Sequence, residues 1–352
     1  MLPREIKEQN GDFKRMAVGT GAFMVKSFKE NQEAVMERNP SYYEMGTDGK
    51  ALPYLDLVRS VHFSDYTAEI AALRTNQIDH FNYFGVRRID ATELQKSNPK
   101  MRHYEQAQFA AGAVWLDPNK KPWDDVRVRR AISLAINRDD FISVERGGAL
   151  YTGFIPAALK DFAWSQEKLR EKFKPNPAEA KKLLADAGYG PASPITVRMD
   201  TATINTTHAE VIQQQLEAVG MKVNINIVGQ SFSPSLQKRD FEFGYGVAGG
   251  GTSVGIWIDD QVYSKSTRNY SLIRDPRVDV LAEAQRRESD PVKRKAIIDQ
   301  EQDLLYDILP HIPTVSLVYD HFYSCRLRNA PLVTPNYNPI TVMHAWIDET
   351  GC

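Results

Sequence analysis

Ile195-Thr196-Val197-Arg198-Met199 and Val223-Asn224-Ile225-Asn226-Ile227 flank a stretch in which Ile212, Leu216 and Val219 recur at helical spacing before Gly220. Apolar residues at alternate positions mark half-buried strands, and three-to-four spacing marks a helix face. Gly220 supplies the residue that most easily takes the left-handed turn closing a helix. Strand, helix and strand with short connections form a βαβ unit, whose crossover requires the two strands to run parallel in an α/β sheet.

The same logic extends in both directions. Upstream, Ala180, Leu183, Leu184 and Ala187 line a helix that starts near Pro177 and stops at Gly188. Asp124 or Asp125 caps a helix over Val126 to Asn137, and a second runs from Arg138 to Glu145 before Gly147-Gly148. Downstream, Asp275 to Arg287 and Pro291 to Ile308 read as helices, Thr314 to Tyr319 as a strand, and Met343 to Ile347 as a strand-like tail. The first hundred residues are β-rich. Ala22 to Val25, Ala34 to Met36, Leu57 to Phe63 and Ile78 to Phe84 are strand candidates, with a helix capped by Ser64 or Asp65 and carrying Ile70, Ala72 and Leu73.

The chain's 352 residues, 42% hydrophobic and 25% charged, allow about two domains. Lys plus Arg of 44 against Asp plus Glu of 45 leaves no net positive field for nucleic acid or an anionic membrane. The uncharged run Phe243 to Ile258 is glycine-rich and too short to span a bilayer, so no intrinsic membrane span is expected. Met1 to Lys7 lacks the apolar core of an export signal. Cys325 and Cys352 are too few for a disulfide scaffold and read as free thiols.

Gly244-Tyr245-Gly246-Val247-Ala248-Gly249 matches the G-x-G-x-x-G dinucleotide fingerprint. The fingerprint needs a helix at its end, yet Gly250-Gly251-Thr252-Ser253-Val254-Gly255 is a poor helix former. The alternative reading is a backbone free to approach another surface where a strand ends. Trp257, just beyond, reads as core. The 7 histidines show neither H-x-x-x-H nor H-E-x-x-H spacing, and no G-x-S-x-G elbow occurs. Asp139-Asp140 and Asp259-Asp260 read as helix starts or turns. No catalytic set, metal or cofactor is expected.

Several segments, in order, resemble the family 5 extracellular solute-binding proteins of ABC importers, the dipeptide, oligopeptide and nickel binders. They are Val18-Gly19-Thr20-Gly21-Ala22-Phe23, Glu37-Arg38-Asn39-Pro40-Ser41-Tyr42-Tyr43 and Ala71 to Asp79. Pro122-Trp123-Asp124-Asp125-Val126-Arg127-Val128-Arg129-Arg130-Ala131-Ile132, Ala135 to Arg138 and Glu179 to Tyr189 continue the series across essentially the whole chain. The resemblance implies an α/β, two-lobed periplasmic-binding-protein-like fold of type II with an incomplete first lobe. Residues 1–113 would form that partial lobe, 114–317 the second, and 318–352 the return to the first. Family members carry an export or lipoprotein signal and further N-terminal structure, so the resemblance makes the chain a truncated member or a fragment.

It also implies a monomer that holds a peptide-like or other small polar solute between its lobes and hands it to the transmembrane subunits of an ABC permease, outside the cytoplasm. Solute contacts are expected where strands end: Asn82, Tyr83 and Phe84; Trp115; Asp200 and Thr201; Tyr245; and Gly249, Gly250, Gly251 and Thr252. Peptide binders of the family place an Asp in the glycine-rich loop to pair with the peptide's α-ammonium group. An ungapped match puts Gly251 at that position and Ala248 where a Trp is common, leaving the ammonium no counter-charge there. Two other readings stand beside this one: a nucleotide-dependent enzyme using Gly244 to Gly249, and a non-functional fragment.

Overall fold

The computed structural model describes residues 19–81, 85–249, 251–330 and 342–350. The chain divides into two compact units, Met1–Gln106 with Tyr319–Cys352, and Ala107–Val318.

In the smaller unit, β1 (Phe23–Lys29), β2 (Glu33–Arg38) and β3 (Leu57–Val61) form an antiparallel sheet in that order. Helix Tyr66–Arg74 starts where the Asp65 carboxylate accepts the Ala68 N–H at 2.9 Å. Helix Arg88–Ser97 was not anticipated; its interior face is only Ala91 and Leu94, too short a pattern to stand out. Ile70, Leu73, Phe81, Val86, Ala91, Leu94, Met101 and Phe322 make this unit's core. Of the strand expected over Ile78 to Phe84, His80 makes an isolated bridge with Tyr323, and residues 82–84 lie outside the described residues; Val86, just past it, bridges Asp320. Cys325 is disulfide-bonded, which corrects the free-thiol expectation. β4 (Arg102–Ala107) leads out of this unit.

The larger unit is built on a five-stranded sheet. Along the chain come β5 (Ala110–Leu116), β6 (Ala149–Tyr151), β7 (Thr196–Thr201), β8 (Lys222–Ile227), β9 (Phe243–Gly249) and β10 (Ile312–Pro313), and β11 (Val315–Tyr323) starts here and continues into the smaller unit from Tyr319. The sheet order is β10-β5-β9-β7-β8. β7 and β8 run parallel from Thr196↔Lys222 to Thr201↔Ile227, joined through helix Thr206–Ala218 as the alternation required. β9 also runs parallel to β7, with Asp200 opposite Gly244, so the chain passes from β8 across β7 to reach it. β5 runs antiparallel to β9, from Ala110↔Gly249 to Leu116↔Phe243. One face packs Val197, Met199 and Val223 against Ile212 and Leu216, and Val128 and Ile132 join the same core. Each such side chain contributes about 1.5–3 kcal/mol.

Helices Pro276–Arg287 and Pro291–Ile308 begin behind Asp275 and Asp290, as read from the sequence. The helix from Val126 ends at Ala135, short of Asn137, because Asn137 caps the next helix, Arg138–Val144. Three arginines tie these short helices to the far end of the unit. Arg129 Nη2 donates to the Ile308 carbonyl at 2.7 Å, Arg130 Nη2 to Tyr306 at 2.7 Å and Arg138 Nη2 to Pro313 at 2.6 Å. The first two satisfy carbonyls that the end of helix Pro291–Ile308 leaves without partners, and the third a carbonyl of β10. Arg138 is fully buried, and burial pushes its pKa down to about 9.

Candidate functional site

The glycine hexad does not lie in a strand-to-helix turn. It forms β9 itself, and its two leading glycines are explained by one ring. A Cβ on Gly246 would sit 2.4 Å from Phe232 Cδ1, and one on Gly244 would sit 2.5 Å from Phe232 Cζ. Positions 244 and 246 share one face of the strand. Phe232, 1% exposed, lies on that face. The glycines therefore make room for an aromatic ring rather than for a pyrophosphate, and they lie in the strand itself, the next helix opening at Val254. This corrects the nucleotide alternative. Sequence reading missed Phe232 because it stands alone in a polar loop, Gln230-Ser231 before it and Ser233-Pro234 after it.

β7, β8 and β9 end on the same side of the sheet, the side on which α/β folds bind ligands. Asp200 and Thr201 are buried at the end of β7. The Asp200 carboxylate accepts from Asn226 Nδ2 at 2.7 Å and from Arg198 Nη2 at 3.1 Å. Thr201 Oγ1 donates to the Tyr245 carbonyl at 2.9 Å. The Tyr245 side chain is wholly buried, its hydroxyl 2.8 Å from His208 Nδ1, in space that Gly112 opens by lacking a Cβ. Burial holds the Tyr245 phenol well above its ordinary pKa. Trp115 is 1% exposed; its indole N–H donates to the Gly246 carbonyl at 3.0 Å and its ring stacks on His311 with centroids 4.6 Å apart. Burial pushes the His311 pKa down to about 3, leaving the ring neutral.

Five of the expected positions, Trp115, Asp200, Thr201, Tyr245 and Gly249, thus share one sheet. Trp115 and Tyr245 fill its interior, whereas Thr252 is exposed beyond the end of β9. Gly251 packs against Ile256, and Ser253 opens helix Val254–Gln261, which the glycines around it hid from the sequence. Trp257 on that helix is buried and donates to the Phe154 carbonyl at 2.5 Å. Asn82, Tyr83, Phe84 and Gly250 lie outside the described residues.

Among the described residues, one group has metal-ligand character: His103, Glu105 and Asp320, whose ligand atoms lie within 4.8 Å of one another. Arg88 occupies its centre, with Nη1 2.6 Å from Glu105 and 3.2 Å from Asp320, so the group is a compensated ion network. No described helix is long and apolar enough to cross a membrane.

The model of the bacterial extracellular solute-binding proteins, family 5 (Middle), matches residues 2–269. The oligopeptide-binding protein AppA of Bacillus subtilis is 25% identical over 236 residues, 63% of this chain and 41% of that protein. The periplasmic oligopeptide-binding protein OppA of Escherichia coli is 27% identical over 234 residues, covering 63% and 40%. Among solved structures, AgaA of A. tumefaciens R10 in complex with agropinic acid superposes with a TM-score of 0.80 at 21% identity, covering 99% of this chain and 71% of that one. The chain belongs to family 5 of the extracellular solute-binding proteins and has their type II periplasmic-binding-protein-like fold. These relatives are substrate-binding proteins of ABC importers, not enzymes, and the family works outside the cytoplasm. The chain spans about half the length of the curated relatives it matches.

Proposed function

We propose that this chain captures a peptide-like or other small polar solute outside the cytoplasm, as a monomer, and delivers it to the transmembrane subunits of an ABC permease. The observation that carries the reading is the family match across residues 2–269. Solute contacts come from Asn82, Tyr83 and Phe84 and from Gly249, Gly250, Gly251 and Thr252. Asp200, Thr201, Trp115 and Tyr245 shape the surface from beneath. Gly251 leaves the end of β9 without the carboxylate that would hold a peptide's α-ammonium group, which favours solutes recognised elsewhere along their length. Capture needs differential affinity for a ligand-bound conformation and no bond making.

Calorimetric titration of the chain with tri- and tetrapeptides and with opines tests the reading. One solute should bind at one-to-one stoichiometry, raise the melting temperature by mass action and be recovered chemically unchanged. Conversion of the bound solute, or no binding across both classes, would overturn it.

A further inference from the structure

We propose that the larger unit carries a carboxylate-accepting subsite centred on Arg268, which takes one acidic arm of the solute; this rests on the capture reading above. Gly244, Gly246 and Ala248 project from the same face of β9. Phe232 fills the space over the first two. One step along, a cavity of about 170 Å³ is lined by Ala248, by Ser233, Leu236 and Gln237 of helix Ser233–Lys238, and by Arg268 and Tyr270. With roughly 30 Å³ per water in the liquid, this space holds a group of a few heavy atoms rather than a whole ligand.

Arg268, its side chain 60% exposed, is tethered at one nitrogen before anything binds. Its Nη1 donates to Asp260 Oδ2 at 2.8 Å, and that carboxylate is almost fully buried. The loop behind it is fixed by Arg239 Nη2 on the Thr267 carbonyl at 2.9 Å and by the Arg268 N–H on Ser266 Oγ at 3.1 Å. The Nε and Nη2 of Arg268 make no hydrogen bond within the described residues, nor do the hydroxyls of Tyr270 and Ser233 or the Gln237 amide. The Nε–Nη2 edge of a guanidinium presents two parallel N–H donors, the geometry that matches a carboxylate. Burial and the neighbouring Asp260 raise the Tyr270 phenol, which keeps it protonated and a donor. A solute ammonium would find the nearby carboxylate, Asp260, already engaged by Arg268 and no other carboxylate on the lining. Donors in excess, one of them a positioned cation, select an anion of small volume.

Propionate and propionamide are probes of the right size that differ only in the charged group. Their binding to the isotope-labelled full chain is followed by NMR at the Arg268 Nε–H. Propionate should bind at least tenfold more tightly than propionamide. The double variant Arg268→Gln/Asp260→Asn, which strands no buried charge, should abolish the preference, and Tyr270→Phe should weaken propionate severalfold. Equal affinity for both probes, no response at Arg268, or a preference that survives the double variant would overturn the subsite. The peptide and opine titrations on the same chain report on capture separately. Solute binding without a propionate response defeats only the subsite. A propionate response without solute binding defeats capture of those solute classes and leaves the anion site in place.

Discussion

The two sheets β1-β2-β3 and β10-β5-β9-β7-β8 both carry apolar side chains but cover them to very different extents. In β5, six of the seven positions are buried, and Val114 and Leu116 reach 0% exposure. In β1, six of the seven are exposed, with Phe28 at 60% and Val25 at 45%. The difference is one of covering layers. The larger sheet has helices and the Phe232 loop packed on its faces, so the buried residues of β5, β7 and β9 each have a volume to match. The smaller sheet has none of that among the described residues, and its side chains are free to change.

The largest expected effect comes from violating the tightest fit. Gly246→Val drives a side chain into Phe232 and should cost about 3 kcal/mol or more, read as a lower urea midpoint at unchanged slope. A loss below about 1 kcal/mol would mean that Phe232 can move aside and that the larger sheet is less constrained than its burial implies.

Next in size is a buried acid in the same unit. Glu301 is 1% exposed, and neither of its carboxylate oxygens has a hydrogen-bond partner. Burial and the nearby Asp259 push its pKa up to about 8, against the pull of Arg286. The folded state therefore holds this proton over a range in which the unfolded chain, titrating near its ordinary value, has lost it. Its stabilising effect is complete below about pH 4.5 and disappears as pH rises towards 8. Glu301→Gln should flatten that decline and stabilise the protein at pH 8 by on the order of 3 kcal/mol. Parallel wild-type and variant curves of stability against pH would show that the carboxyl reaches solvent.

The smallest effect belongs to the open sheet. Phe28→Ser should change stability by less than about 0.5 kcal/mol in the same urea assay. A loss of 2 kcal/mol would erase the contrast between the sheets.

The larger unit's topology was legible because Ile195, Val197 and Met199 on one strand and Val223, Ile225 and Ile227 on the next follow an unbroken period of two, with Gly220 punctuating the helix between them. Capping acids did the same for the helices behind Asp275 and Asp290. What stayed hidden depends on partners far along the chain. Gly244 and Gly246 carry no label for the ring that needs them, and so they imitated a phosphate loop. Trp115 and Tyr245 look identical in sequence whether a ligand or a core surrounds them. Arg268 sits in a polar stretch, Ser264 to Asn269, where no periodicity separates a positioned guanidinium from a solvated one.

β10 lies at the rim of the larger sheet, its Ile312 opposite Val114 of β5, and the arginine clamps bind carbonyls at 306, 308 and 313 from residues 129, 130 and 138. Roughly 200 residues of translation separate the two sides of those contacts, or about 10–40 s at ordinary ribosomal speed. The nascent chain carries an unsealed β5 edge for all of that time, so this unit closes only after residue 313 has been made.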